Sequence, residues 1–562
     1  MLVAERISAS PTNSRYLQQH IFSVLQNCCS IKKLAQIHAH ILTNGFSQKN
    51  FILAKLISLY SAYGYVDHAQ KVFDKIGSPS TTIWNQMIRA HARGETPVKS
   101  VELFTLMQKE ESEPDGYTYS YMVAACSLLG LLRVGEQIHS RVLSNGYCSN
   151  LFVSTSLVNL YTLSRGDVGL ESACKVFEEM PERSVVTWNS LLAGYIRCGD
   201  VDRALRTFDE MPERSVVSWT TMVSGCARQG RSRQALSLFS EMMRAQVELD
   251  QVAMISALSA CAELGDLNLG RWIHSYVNRA FRGSRQQLLV PLQNALIHMY
   301  ASCGVVEEAH GVFEEMPRKT TVSWTSMIIG YAKHGYGEKA LSLFQRMQEL
   351  EADELRPDAI TFIGVLCACS HAGYVEEGRR YFIQMKERWA IEPRIEHYGC
   401  MADILSRAGF LDEAESLVES MPMKPNDAIW GALLGGCRIH MKSKLALSAA
   451  QNLMLKLDCD QTFGYLALLL DVYAVAKRWE DVAIVRQKMV EMGVRKPPGR
   501  SWVQTNGVIH DFLAGDSTHK QASSIYDMLD NMTGQLVCEE NKHNMYDLGE
   551  DVEGANFPSL IS

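Results

Sequence analysis

Between Val185 and Ser215 the apolar residues Trp188, Leu191, Leu192 and Tyr195 fall at offsets 0, 3, 4 and 7, a spacing that gathers them on one face of a helix. Gly199 and Asp200 come next: glycine suits the left-handed end of one helix, and aspartate suits the cap of another. Val201, Ala204, Leu205, Phe208 and Met211 resume the helical spacing, and Pro212, which has no place in a helix interior, closes it. The pattern predicts a helical hairpin, helix A followed by helix B across a short turn.

The chain keeps restating this hairpin. Residues 216–250 align with it without a gap through helix B, and further copies begin at Thr81 and Thr321. Starts at Asn50, Thr81, Gly116, Leu151, Val185, Val216, Gln251, Val290, Thr321, Ala359 and Ile395 give a period of 31 to 39 residues. Extra residues at 164–167, 281–289 and 349–355 are expected in loops between hairpins. One such hairpin cannot bury its apolar face alone, so the repetition predicts an all-α fold, a right-handed superhelical solenoid in which each unit stacks on the next. Beyond Asn426 two more helix pairs are expected over 427–494. Trp502 and Val503 before Asn506-Gly507, with Val508, Ile509 and Phe512 after it, read as a small C-terminal hairpin. The last 31 residues, 532–562, are rich in acid and read as a poorly ordered tail.

The net charge of −7 argues against sequence-blind nucleic-acid binding, which needs a strongly basic surface, but leaves recognition base by base open. No run approaches the roughly 18 to 20 apolar residues of a membrane span. The fifteen cysteines sit largely inside helical patterns, as Cys126, Cys226, Cys261, Cys369 and Cys437 do, and read as reduced, buried apolar residues. Residues 1–15, with two arginines and three serines, are compatible with a short organellar transit segment.

The alternating units, together with stretches such as "IEHYGCMADILSRAGFLDEAESLVESMPMKP" and "AIWGALLGGCRIH", resemble the plant pentatricopeptide repeat family in the subclass with alternating P, L and S motifs. The resemblance implies about 12 repeat units over 16–426, two E motifs over 427–494 and an extension over 495–531. It also implies a sequence-specific reader of organellar single-stranded RNA, mitochondrial or alternatively chloroplastic, acting as site-recognition factor for cytidine-to-uridine editing. A DYW-type deaminase would be recruited in trans, with Gly499, Trp502 and Phe512 as candidate recruiting residues, alongside small multiple-organellar editing factors. Transcript processing, splicing or stability is the competing reading, and an RNA-free protein scaffold a further one.

In the family the fifth residue of helix A and the last residue of the unit specify one base. The pairs here are Asn85 with Asp115, Asn189 with Ser215, Thr220 with Asp250 and Thr325 with Asp358, for which the family's code implies U, C, G and G. Thr155 with Ser184 suggests a purine; Asn294 with Thr320 and Ser120 with Asn150 depart from the standard pairs, and Gly399 with Asn426 carries little information. The fifth residues stand about 100° round the helix from the marker tryptophan and are expected to flank the core rather than fill it. The alternative for all of these is ordinary capping of helix starts.

A catalytic site is not expected, nor a cofactor. Zinc-dependent base deamination needs an HxE and a CxxC, and the sequence holds neither; Cys367 and Cys369 are separated by one residue, not two. His139 and His274 recur at equivalent helix B positions and read as packing residues, while His510 and His519 lack thiol or carboxylate partners at metal spacing.

Overall fold

The computed structural model describes residues 11–546 except 95, 165, 281–289, 351–354, 443–444, 447–448, 450–462, 492–499, 506–507 and 514–516. Every unit start read from the sequence is the first residue of a helix A, from Asn50–Ala62 and Thr81–Arg93 through Ile395–Ala408, and Asp427–Ile439 follows in the same phase. The chain divides into two compact units, one formed by residues 1–265 with 273–282, the other by 266–272 with 283–562. Within each, helical hairpins stack in chain order, helix A against the next helix A and helix B against the next helix A.

The Val185 unit shows why the pattern folds this way. Gly199 takes φ 80° and Asp200 N–H reaches back to the Tyr195 carbonyl at 3.0 Å, ending helix A, while the Asp200 carboxylate accepts from Arg203 N–H at 3.0 Å and starts helix B, Val201–Glu210. Position 10 of helix A is a glycine for a different reason. A Cβ on Gly225 would sit 2.6 Å from the Ile196 side chain, so glycine sets how closely adjacent helices A approach.

Successive units are joined by a repeated aromatic contact. The phenylalanine near the end of one helix B meets the marker tryptophan of the next helix A edge-on: Phe73 with Trp84 at 4.8 Å, Phe177 with Trp188 at 4.7 Å, Phe208 with Trp219 at 4.8 Å and Phe313 with Trp324 at 4.9 Å. Such pairs add about 0.5–1.5 kcal/mol beyond the area they bury. The residues after the Met-Pro stop secure the same phenylalanine. Arg183 and Arg214 lie over Phe177 and Phe208 and donate through Nε to the carbonyls of those residues, at 2.9 and 3.0 Å. Exposed ion pairs such as Lys339–Glu307 at 2.7 Å and Arg346–Glu314 at 3.0 Å also bridge units, but in solvent each contributes at most about 1 kcal/mol. Apolar packing carries the stack.

The structure departs from the sequence reading in several places. Helix Pro11–Gln26 begins inside the segment assigned to transit, and the insertion at 164–167 falls between helices A and B of one hairpin instead of between hairpins. Helix Ala522–Tyr546 runs fifteen residues into the segment expected to be poorly ordered, because Ile525, Leu529, Met532 and Leu536 keep a helical spacing that the acidic composition of the tail obscures. Residues 547–562 lie outside the described residues, as does most of the partner of helix Asp427–Ile439. The second predicted pair there is present as Phe463–Val475 and Trp479–Glu491. The cysteines divide: Cys126 and Cys226 are buried, with thiols pushed up to about 11 by desolvation, but Cys29, Cys148 and Cys198 are exposed.

Candidate nucleic-acid interface

The last residue of each unit immediately precedes the next helix A, and it caps that helix. Asp115 accepts from Thr118 N–H at 2.9 Å, Ser184 from Thr187 N–H at 3.2 Å, Ser215 from Ser218 N–H at 3.3 Å, Asp250 from Ala253 N–H at 2.8 Å and Asp358 from Thr361 N–H at 2.8 Å. Thr320 forms a capping box with Ser323, and Asn150 and Asn426 cap through their side-chain oxygens. The capping alternative is therefore realised at every one of these positions.

It does not exclude a second role. All the capping bonds to Asp115, Asp250 and Asp358 fall on Oδ1, and Oδ2 takes none from the described residues. A carboxylate has about four acceptor sites, so one oxygen can hold the helix while the other serves a ligand.

The fifth residues of helix A meet these caps across the junction between units. Asn85 Nδ2 donates to Asp115 Oδ1 at 2.8 Å and Asn189 Nδ2 to Ser215 Oγ at 3.3 Å. Thr325 reaches Asp358 through Thr361, whose hydroxyl lies 2.7 Å from Thr325 Oγ1, and Thr155 reaches Ser184 through Thr187 in the same way, also at 2.7 Å. Ser120 instead engages Ser156 of the following helix at 2.9 Å, and Gly399 has no side chain to contribute. Asn189, Thr220 and Asn294 each keep one buried oxygen without a partner. Three of the fifth residues are more enclosed than expected: Asn85, Thr220 and Thr325 are 5, 9 and 6 % exposed. The next helix A packs over them, which a single hairpin's face could not reveal.

A row of apolar residues beside the polar pairs was not anticipated. The second residue of helix A is exposed in Phe51, Tyr117, Phe152, Val186, Val217 and Val252 of the first unit of the chain and in Val322 and Ile360 of the second, at 48–63 %, whereas the marker tryptophans two positions on are 9 % exposed or less. Two residues of helix turn by about 200°, so these side chains face away from the tryptophan and its core. The sequence signal is an apolar residue recurring off the core face of most helices A; Thr82 and Glu396 stand at this position in two others.

At the C-terminal end, strands β1 (Arg500–Thr505) and β2 (Val508–Leu513) pair antiparallel with Thr505 opposite Val508, the expected hairpin around Asn506-Gly507. Trp502 lies in β1 opposite Asp511. Phe512, in β2, is partly exposed and packs on His519 at 5.1 Å, and His519 Nε2 lies 2.8 Å from His510 Nδ1. Gly499 lies outside the described residues. His139 is half-buried with Nδ1 2.8 Å from the Tyr161 hydroxyl, a packing histidine as expected. Among the described residues no group of three or more His, Cys, Asp or Glu could hold a metal, and no helix is long and apolar enough to cross a membrane.

Stacked hairpins with a polar pair at most junctions, and at most of these an exposed apolar residue beside it, define a helical-repeat protein whose surface chemistry recurs with the period of its fold. The sequence matches the PPR repeat over residues 82–112, 294–320, 322–351, 360–389 and 396–425, the PPR repeat family over 183–216 and 214–263, and the E motif over 440–504. It is 37% identical over 536 residues to the chloroplastic/mitochondrial pentatricopeptide repeat-containing protein At1g59720 of Arabidopsis thaliana, covering 93% of this chain and 77% of that one. At5g66520 of the same plant is 42% identical over 506 residues, 90% of this chain and 80% of its own, and the chloroplastic protein CRR2 is 35% identical over 542 residues, 94% and 76%. The chain belongs to the pentatricopeptide repeat family. Among solved structures, the crystal structure of PPR10 in complex with an 18-nt psaJ RNA element aligns with 16% identity and a TM-score of 0.41, over 80% of this chain and 75% of that one. The E motif match runs into β1, so it spans the boundary at 494/495 drawn from the sequence.

Proposed function

We propose that this chain binds single-stranded organellar RNA one base per unit and acts as the site-recognition factor for cytidine-to-uridine editing, with the deaminase supplied by another chain. The observation that carries the reading is the recurring junction, in which two polar side chains from adjacent helices A converge beside an exposed apolar residue. The polar pair suits the Watson–Crick edge of an unpaired base, and the apolar residue suits its face. Such recognition does not depend on a basic surface, which agrees with the net charge of −7.

The E motif match supports a role in editing, and the hairpin of β1 and β2 with the partly exposed Phe512 is the proposed recruiting surface for the deaminase, together with residues 427–531. Relatives named chloroplastic or mitochondrial support an organelle as the place of action, with the mitochondrion our first assignment. Transcriptome-wide RNA sequencing in a plant lacking the protein tests this directly. Loss of conversion at one or a few organellar cytidines preceded by purines three nucleotides apart is expected; intact editing with altered transcript ends or splicing would overturn the editing role.

A further inference from the structure

The units that start at Val216 and Thr321 carry the same fifth and last residues, Thr220 with Asp250 and Thr325 with Asp358. By a two-residue code they are identical. They differ in the residue facing the pair from the next unit, the third of its helix A, which is Ala253 in one case and Thr361 in the other. We infer that the third residue of the following unit decides which way the threonine hydroxyl can hydrogen-bond, so that Thr325 with Asp358 reads guanine strictly while Thr220 with Asp250 also admits adenine. This rests on the RNA-reading role proposed above.

The Thr361 hydroxyl is saturated. Its proton goes to Asp358 Oδ1 at 2.8 Å, because a carboxylate only accepts. One lone pair accepts from Asp358 N–H at 3.1 Å, and the oxygen of Thr325 lies 2.7 Å away on what remains. With the Thr361 proton committed to a charged acceptor, the contact between the two hydroxyls is made by the Thr325 proton. Thr325 is then left with lone pairs alone: it can accept from a base but cannot donate to one.

The alanine at 253 offers no such partner. Among the described residues the Asp250 carboxylate accepts only from Ala253 N–H, and Thr220 Oγ1 is buried with no hydrogen bond. Leaving a buried hydroxyl unpaired is costly, and a rotation about χ1 that turns it toward a ligand removes that cost. Its proton is uncommitted, so Thr220 can donate as well as accept.

Guanine presents two donors on its Watson–Crick edge, N1–H and the exocyclic amine. An acceptor-only threonine beside a carboxylate oxygen satisfies both. Adenine presents one acceptor, N1, and one amine. Thr220 can donate to that N1 while Asp250 accepts from the amine; Thr325 cannot. Thr361 is thus a positioning residue for specificity, acting through Thr325.

The test uses the full chain and a pool of single-stranded RNAs of randomised sequence, selected by binding and sequenced, followed by affinities for RNAs that vary only at the two positions, three nucleotides apart. In the wild type the preference for G over A at the base read by Thr325 should exceed that at the base read by Thr220 by about tenfold, the scale of one base-specific hydrogen bond. Thr361→Val keeps the shape, removes the hydroxyl and should lower the first preference to the level of the second; Ala253→Thr should raise the second. Each is a ratio of affinities measured on one protein, so a change in stability alone does not move it. A selected consensus with equal preferences at the two positions, unmoved by either substitution, overturns the inference while leaving the reading role intact. Recovery of no consensus overturns the reading role itself.

Discussion

Asn85, Asp115 and Thr118 show what a junction looks like when all three positions are polar. Asn85 Nδ2 donates to Asp115 Oδ1 at 2.8 Å, and the single Thr118 hydroxyl proton lies between Asn85 Oδ1 at 2.6 Å and Asp115 Oδ1 at 3.0 Å, which holds the amide in one orientation. The Thr325 junction already has Asp358 and Thr361 in the matching places. Thr325→Asn should therefore rebuild the Asn85 arrangement and turn a G-preferring unit into a U-preferring one. Binding to RNA with G at that position should fall about 10 to 100-fold and recover when the base is changed to U. Gel-shift titrations with the four base variants measure it, and indifference to the base would show that these side chains only cap helices. A second prediction concerns histidine. Burial lowers the His139 pKa below its ordinary value, with Glu179 opposing, and lowers that of His38, which meets the Tyr60 hydroxyl at 3.1 Å. The folded state thus favours neutral imidazole. Their contribution is complete above the unfolded pKa near 6.5 and is lost as pH falls below it. Urea unfolding midpoints should be lower at pH 5.5 than at 7.5, and His139→Gln should shrink the difference.

Successive hairpins are joined by the aromatic contact between units. Phe208 is 1 % exposed, meets Trp219 at 4.8 Å and carries the Arg214 guanidinium on its ring at 4.7 Å. Phe208→Ala should destabilise the chain by about 3–5 kcal/mol, the cost of a large aromatic cavity. Because each repeat touches only its neighbours, the damage should stay local. Hydrogen exchange should rise first in helices Val201–Glu210 and Val216–Arg228, and uniform loss of protection along the chain would contradict a stack coupled by nearest neighbours. Arg214→Ala should cost much less, since it leaves the Phe208–Trp219 contact in place.

At the scale of the molecule, the proposed function puts recognition on the repeats and recruitment on the C-terminal segment. A chain truncated after Asn426 should keep most of its affinity for target RNA but fail to restore editing in a plant lacking the protein, while the full purified chain with added zinc should bind that RNA without converting its cytidine. Conversion by the isolated chain would place the chemistry on this polypeptide, and loss of RNA affinity on truncation would place reading residues beyond the repeats.

The apolar period of 3.6 and the glycine, aspartate and proline signals determined the helices, and they did so to the residue, since every unit start from Asn50 to Ile395 opens a helix A. These are local properties: the capping geometry of Asp200 and the φ of Gly199 need only a few neighbouring residues. The same locality made the polar pairs legible as pairs, because they recur at fixed offsets from the tryptophan. The sequence also held the exposed second residues, but an apolar side chain off the core face looks like noise until the repeat shows it exposed from Phe51 to Ile360. What only the tertiary structure decided is how the junctions are wired. Thr325 and Thr361 are 36 residues apart, and their hydroxyls meet because one helix A packs on the next. That packing also buries Asn85, Thr220 and Thr325, and it brings the capping carboxylate of Asp358 within one hydroxyl of Thr325. Hydrogen-bond direction depends on every donor and acceptor within reach, and here Thr325 lies on one helix A while Asp358 and Thr361 belong to the next, so no periodicity along one helix could have specified it.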